Sequence, residues 1–281
     1  MMRPSSIVLV LTAFIFLRPA SAVAGFPGDI PDKFRIEVAG TTATLDTEVG
    51  LGTETGGLNA TLVFEDLFNL PIHDGYFQAE GSWKCGGRSH IDLGYIDVNR
   101  TAERVIAENV EFGKYTFTAG AQVEAFFGSR FGYLAYRHDF LQHEDVRISG
   151  SFGLSNTKLS ARLSSEGGVL DENQQPVVGG RTVEGKLTLP VPLLGIQLDW
   201  AVSKRSDIQF FSRVVFINLP DLRGGMSQNT IRYHYWVVRN AALGVGYDGI
   251  RCALQKYRND DYTLRANYGI QGFTFYLRGA F

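Results

Sequence analysis

The sequence predicts an all-β protein, a transmembrane antiparallel up-and-down β-barrel of about ten strands. Three observations predict it. The N-terminal segment has the form of a secretory signal. The rest of the chain alternates apolar and polar residues with a period of two, as strands with two different faces do. Short polar turns alternate with longer connections, an arrangement typical of bacterial outer-membrane barrels.

Composition excludes several other classes. The chain has 281 residues with 32 Gly, 20 Phe and 12 Tyr, a bias toward β structure. Its formal net charge of −2 gives no nucleic-acid footprint, so we expect no nucleic-acid partner. Two cysteines exclude a disulfide scaffold and a cysteine-rich zinc site. The mean hydropathy of −0.04 excludes a helical membrane bundle, whereas the half-apolar strands of a barrel are compatible with it.

Residues 1–24 read as a cleaved signal peptide. Arg3 precedes the apolar run Ile7–Leu17, which is too short to span a bilayer, and small residues follow it. We expect cleavage after Ala22 or Ala24, which leaves residues 25–281 as the barrel domain.

Ten spans carry the period-two alternation, and an even number places both termini in the periplasm. If Gly57–Glu65, which we expect to begin a loop hairpin, spanned the membrane with a partner, the count would be twelve. If two weak spans failed, it would be eight. The predicted spans are 34–50, 76–84, 88–98, 122–138, 145–158, 183–202, 207–218, 229–239, 241–257 and 262–281. Long outer connections are predicted at Gly50–Asp74, Asn99–Gly120, Arg162–Gly185 and Pro220–Asn229.

The polar faces of these spans are expected to point into the lumen, with the apolar faces toward lipid. Charges of both signs occur there, and they should pair because isolated buried charges are costly. The lumen is therefore expected to be filled rather than open. The predicted lumen-facing residues are Glu80, Asp92, Glu124, Arg130, Asp199, Arg213, Arg232, His234 and Arg278.

The last span ends on an alternating apolar row with a terminal aromatic residue. Phe273, Phe275, Leu277 and Phe281 resemble the sorting signal that the bacterial outer-membrane assembly machinery reads. The expected partners are that machinery, outer-membrane lipid and lipopolysaccharide. The expected location is the outer membrane of a Gram-negative bacterium.

Several segments together resemble a group of poorly characterised proteobacterial outer-membrane β-barrel proteins. The segments are Leu62–Leu67, the strand start Leu189–Ile196, Gly244–Tyr247 and the closing strand with Phe281. The resemblance covers nearly all of the mature chain. It implies the barrel architecture and supplies no catalytic residue, cofactor or substrate.

Candidate catalytic residues are sparse. His138-Asp139 is the best sequence pair for acid–base chemistry, but it adjoins a short turn at the periplasmic end. Near the outer rim, His73 and Asp74 lack the paired aspartates and Asp-His arrangement of omptin proteases. A lipid A deacylase would need a Ser-His pair near the last strands, yet no histidine follows His234.

We therefore expect no catalytic, cofactor or metal site, and a structural, small-solute passage or surface-binding role. One alternative is an outer-membrane enzyme, either an omptin-like protease or a lipid-modifying hydrolase. Another is a soluble periplasmic lipocalin-like binder, which would need an apolar interior and a charged exterior. Cys85 and Cys252 are predicted at different heights, so we expect no disulfide between them.

Overall fold

The computed structural model describes residues 33–52, 62–220, 222–257 and 263–281. The predicted signal segment lies outside the described residues. Among those described, no helix is long and apolar enough to cross a membrane. The elements are β1 (Phe34–Gly52), β2 (Leu62–Val63), α1 (Phe64–Phe68), β3 (His73–Lys84), β4 (Ser89–Val105), β5 (Val110–Phe112), β6 (Tyr115–Phe117), β7 (Gln122–Gln142), β8 (Val146–Ser165), β9 (Val169–Leu170), β10 (Arg181–Ser203), β11 (Ser206–Leu219), β12 (Leu222–Val238), β13 (Ala241–Tyr257) and β14 (Thr263–Ala280).

Ten long strands close into one antiparallel barrel, which confirms the predicted fold and strand number. The order is β1-β3-β4-β7-β8-β10-β11-β12-β13-β14, and β14 pairs back with β1. Each of the ten predicted spans overlaps one of these strands. The residue pairing followed once around the barrel from Phe34 returns to Asp46 on the same strand, so the strands are tilted to the barrel axis.

One predicted connection is wrong. Pro220–Asn229 was expected to be a long loop, but residues from Leu222 onward belong to β12 and pair with β11 from Leu219↔Leu222. Leu222 and Met226 point into the barrel and are buried, so the period-two pattern continues through the intervening glycines. The connection between β11 and β12 is therefore a tight turn.

The first outer connection turns into the barrel rather than extending its wall. Residues 57–61 of the predicted hairpin lie outside the described part of the chain. Val63 and Leu62 pair with β1 at Glu48 and Val49, and α1 follows at once. Asn69 then adopts a left-handed conformation with φ of 56° and ends the helix. The connections after β4 and β8 meet above the barrel in a small sheet of order β5-β6-β9.

The outward face of the wall is apolar at one end of the barrel and polar at the other. Toward the chain termini, its outward face carries exposed apolar side chains, which we call the apolar belt. Toward the long connections, the outward positions are polar. The belt includes Ile36, Val38, Phe77, Leu93, Leu134, Phe152, Leu154, Leu194, Ile196, Ile231, Leu243, Val245, Phe273, Phe275 and Leu277.

Two glycines let tyrosine side chains lie flat against the inner wall. A Cβ atom at Gly94 would overlap the ring of Tyr133, and one at Gly244 would overlap the ring of Tyr276. The hydroxyl of Tyr276 donates to the backbone carbonyls of Tyr233 and Val245, 3.2 Å away in each case. These rings help to fill the lower interior.

Candidate functional site

The interior at the level of the apolar belt is filled by a network of buried charges, which we call the charged tier. The carboxylate of Glu37 on β1 accepts hydrogen bonds from the guanidinium groups of Arg232 at 2.5 Å and Arg278 at 2.8 Å. Glu80 on β3 accepts from Arg232 at 3.0 Å and from Arg213 at 3.3 Å. Acids from β1 and β3 thus meet arginines from β11, β12 and β14. The contacts of Glu80 with Arg213 and Arg232 cross the lumen, whereas Arg278 is the register neighbour of Glu37 on the adjoining strand.

The network continues through Asp207 toward the end of the barrel that carries the chain termini. This carboxylate accepts from Trp236 Nε1 and lies 2.7 Å from His234 Nδ1. Gln209 donates to Asp199 at 2.7 Å and accepts from Arg278 at 3.1 Å. The hydrogen bonds hold the polar side chains in fixed orientations across the barrel.

A second cluster of the charged tier joins β4, β7 and β8. Arg137 donates to Asp92 at 2.6 Å and to Asp139 at 3.3 Å. Asp139 also accepts from Ser149 at 2.7 Å and lies 3.2 Å from His90 Nε2. A cavity of about 50 Å³ remains beside Arg213 and Arg278, room for a few water molecules.

A polar layer lies directly above the charged tier. Asp248 is buried and accepts hydrogen bonds from Gln78 at 2.9 Å, from Thr230 at 2.6 Å and from Thr274. The carboxylate therefore has three hydrogen-bond donors from β3, β12 and β14. This layer separates the arginines below from the apolar side chains above.

Above the polar layer the interior is apolar, and α1 is part of it. Phe64 and Phe68 of α1 are fully buried, and Phe64 packs edge-on against Phe127 of β7. Glu65 of the same helix accepts a hydrogen bond from Arg100 at 2.7 Å, and Arg100 also donates one to the hydroxyl of Thr47. We call this region the apolar tier. It includes Leu45, Val49, Leu159, Leu163, Leu187, Val191, Ile217, Leu254, Tyr268 and Ile270.

The structure places most of the predicted lumen residues inside the barrel. Glu80, Asp92, Asp199, Arg213, Arg232, His234 and Arg278 face the interior. Two of the nine predicted residues are corrections, because Glu124 and Arg130 lie on the outward face of β7. Arg130 donates there to Asp97 at 3.1 Å with about half of its side chain exposed. Both residues lie above the apolar belt, where water surrounds the wall and charged side chains belong outside.

Sequence reasoning missed several members of the charged tier. Glu37 could have been found from the alternation of Arg35 and Glu37 with apolar residues in the first span. Arg137 lies at the end of the predicted span 122–138 and Asp139 lies just beyond it, and neither is among the predicted lumen residues. Asp207 begins the predicted span 207–218, and nothing in the local pattern signals its contact with His234.

The four residues of the predicted sorting signal lie on β14 and at its end. Phe273, Phe275, Leu277 and Phe281 are all more than half exposed and point outward. Phe281 and Phe34 exchange two backbone hydrogen bonds, from Phe281 N to Phe34 O at 2.8 Å and from Phe34 N to Phe281 O at 2.9 Å. The segment therefore also closes the barrel. Cys85 and Cys252 are both free thiols, as expected.

Neither His138–Asp139 nor His73–Asp74 forms a hydrogen-bonded pair among the described residues. His138 and Asp139 point to opposite faces, because they are neighbours on one strand; Asp139 contacts His90 instead. His73 is exposed beside Thr44. His234 Nε2 has no hydrogen-bond partner within the described ranges and lies 3.7 Å from a Glu37 oxygen. In that same part of the chain, no group of three or more His, Cys, Asp or Glu could hold a metal ion.

Comparison with known proteins identifies the fold but no family. No family model and no curated protein matches the chain. The outer-membrane protease OmpT of Escherichia coli is similar in structure, with a TM-score of 0.57 and 12% identity over 89% of this chain and 97% of that one. The outer-membrane protein OprG of Pseudomonas aeruginosa has a TM-score of 0.39 and 7% identity over 89% and 98%. The chain therefore has the fold of bacterial outer-membrane barrels. At 12% identity the likeness to a protease is a likeness of fold alone.

Proposed function

We propose that this chain is an integral outer-membrane barrel with a sealed lumen, whose role is structural or surface-binding rather than solute passage. One observation carries the proposal. The charged tier bridges the lumen at membrane level, and the apolar tier with α1 fills the lumen above it. Opening a path would require breaking buried ion pairs, each of which costs several kcal/mol to disrupt.

The proposed orientation puts the chain termini in the periplasm and the long connections outside the cell. The apolar belt supports it, since such a band flanked by polar surface is what a bilayer requires of a barrel. Backbone closure supports it as well, because every N–H and C=O in hydrocarbon needs a partner. Residues 1–24 would direct export and be removed. Membership of the poorly characterised proteobacterial group remains part of the proposal.

Conductance tests the sealed lumen. The purified barrel would be reconstituted in planar bilayers and compared with an open porin at the same protein amount. We expect no stepwise conductance from this chain. A gel of the same sample, with and without boiling, must show the mobility shift of a folded barrel. Regular channel openings from shifted protein would overturn the sealed lumen, and a soluble protein without a shift would favour the lipocalin-like alternative.

An enzymatic role is the second candidate, and we propose against it. The likeness to OmpT makes an omptin-like protease worth testing, yet the described residues at the outer rim offer little chemistry. His73 is exposed on the outside of the wall, and Glu65 is engaged by Arg100. Incubation of folded protein with a peptide library and with lipid A, followed by mass spectrometry, is expected to leave both unchanged. Cleavage abolished by His73→Ala would contradict this proposal.

A further inference from the structure

The barrel wall is open along one seam. β10 and β11 pair from Ser203↔Ser206 up to Leu194↔Val214. Both strands continue beyond this point, to Arg181 and Leu219. Over these described residues they pair only with their other neighbours, β8 and β12. Pro190 and Pro192 lie in the open stretch of β10 and have no N–H to donate.

The seam begins where the apolar belt ends. Leu194 is the last residue of β10 that pairs with β11, and it is an exposed member of the belt. Unpaired backbone in the hydrocarbon core costs several kcal/mol for each group, so an open seam can exist only at the level of lipid headgroups or above. Outside the seam lies Phe216, which is 74% exposed. Behind it lie the buried apolar residues Val191 and Ile217.

Exposed cations stand on both sides of the seam. Lys158 on β8 is paired in register with Thr188 of β10. Arg223 on β12 is paired with Asn218 of β11. Neither cation forms an ion pair with any described residue. Lys158 also lies opposite Arg130 on the same outward face, and because Asp97 already pairs with Arg130 at 3.1 Å, Lys158 is the cation of the two that lacks an acidic partner among the described residues.

From these observations we propose that the seam between β10 and β11 binds a lipid that carries two phosphates, such as the lipid A part of lipopolysaccharide in the outer leaflet. An acyl chain would lie along Leu194 and Phe216 at the mouth of the seam, and the phosphates would contact Lys158 and Arg223. Three strand spacings separate the two cations, about 15 Å or more. A single phosphate cannot reach both of them, and this favours a doubly phosphorylated headgroup. The inference rests on the proposed outer-membrane orientation.

Lipid binding to the folded protein in detergent micelles tests the charge contacts. The wild-type chain is expected to bind bis-phosphorylated lipid A at least tenfold more tightly than monophosphorylated lipid A or phosphatidylglycerol. The double variant Lys158→Gln/Arg223→Gln should lose this preference and bind about tenfold more weakly. A matched control, Lys204→Gln/Arg205→Gln, removes the same charge from an exposed periplasmic turn and should bind as the wild type does. Equal binding by the two double variants, or equal binding of phosphatidylglycerol, overturns the proposal.

Paired cysteines test the seam itself, in a background of Cys85→Ser/Cys252→Ala. Leu194→Cys/Val214→Cys joins paired positions and should form a disulfide in air. Pro192→Cys/Phe216→Cys occupies the next outward pair across the seam and should stay reduced, because no strand pairing holds these two positions within disulfide reach. A flexible bifunctional maleimide that joins the latter pair should weaken lipid A binding. Spontaneous disulfide formation at both pairs would contradict an open seam. All variants must keep the heat-shifted mobility of a barrel, which separates failure of this inference from failure of the membrane assignment.

Discussion

Replacing Glu37 by glutamine tests whether charge pairing holds the barrel interior together. The carboxylate of Glu37 lies between two buried guanidinium groups, 2.5 Å from Arg232 and 2.7 Å from Arg278. Glutamine keeps the shape and one acceptor but leaves the two cations without this anion. Breaking a buried pair by removing one partner costs about 3 to 5 kcal/mol. Arg232 keeps Glu80 and Arg278 keeps Gln209, so we expect the lower end, about 3 kcal/mol.

The assay is equilibrium unfolding in urea of barrels folded in lipid vesicles, followed by the mobility of unboiled samples on gels. With a urea dependence of about 3 kcal/mol per molar, the midpoint should fall by about 1 M. Glu48→Gln is the matched control, since Glu48 is exposed on the same strand and, among the described residues, accepts a side-chain hydrogen bond only from Asn267 at 3.2 Å. Its effect should stay within about 0.5 kcal/mol.

A second substitution separates charge from packing. Glu37→Gln combined with Arg278→Gln removes one of the two uncompensated cations, and more than half of the lost stability should return. The coupling between the two positions is then the measured quantity. If Glu37→Gln is no more harmful than Glu48→Gln, the charged tier does not stabilise the barrel in the way described.

Three further predictions follow from the wall. Gly244→Ala forces a Cβ against the ring of Tyr276 and should cost about 1 to 3 kcal/mol of unfolding free energy, whereas Gly40→Ala points into open space and should be nearly neutral. On β8, Phe152→Arg should destabilise the vesicle-folded barrel by about 2 to 4 kcal/mol, and Asn156→Arg, two outward positions higher on the wall, by less than about 1 kcal/mol. Cys85 is exposed in the turn after β3, which is periplasmic in the proposed orientation, and should react with an impermeant maleimide only after the outer membrane is permeabilised; labelling of intact cells would invert the orientation.

The sequence was sufficient to predict the ten strands because the lipid-facing and lumen-facing residues of a barrel wall alternate along every strand. It was also sufficient for most of the lower interior, where polar residues such as Glu80 and Arg232 alternate with lipid-facing ones. The partners in that interior were not predictable. Glu37 and Arg232 are 195 residues apart, and only barrel closure brings them together. The inward turn of α1 was also missed, since a five-residue helix has too few residues to show a period.

Glu124 and Arg130 reveal why one rule for the whole wall fails. Period-two alternation indicates that a strand has one apolar and one polar face, but the medium around the barrel decides which of the two faces points outward. At the level of the belt the outside is hydrocarbon, so Leu134 points out and Arg137 points in. A few residues higher on the same strand the outside is water, so Phe127 points in and Glu124 points out. The upper half therefore follows the rule of a soluble barrel, and the height along the strand must be known before a charged residue can be assigned to the lumen. The seam between β10 and β11 opens at this same change of surroundings, where water or a headgroup can satisfy a backbone that hydrocarbon would force to pair.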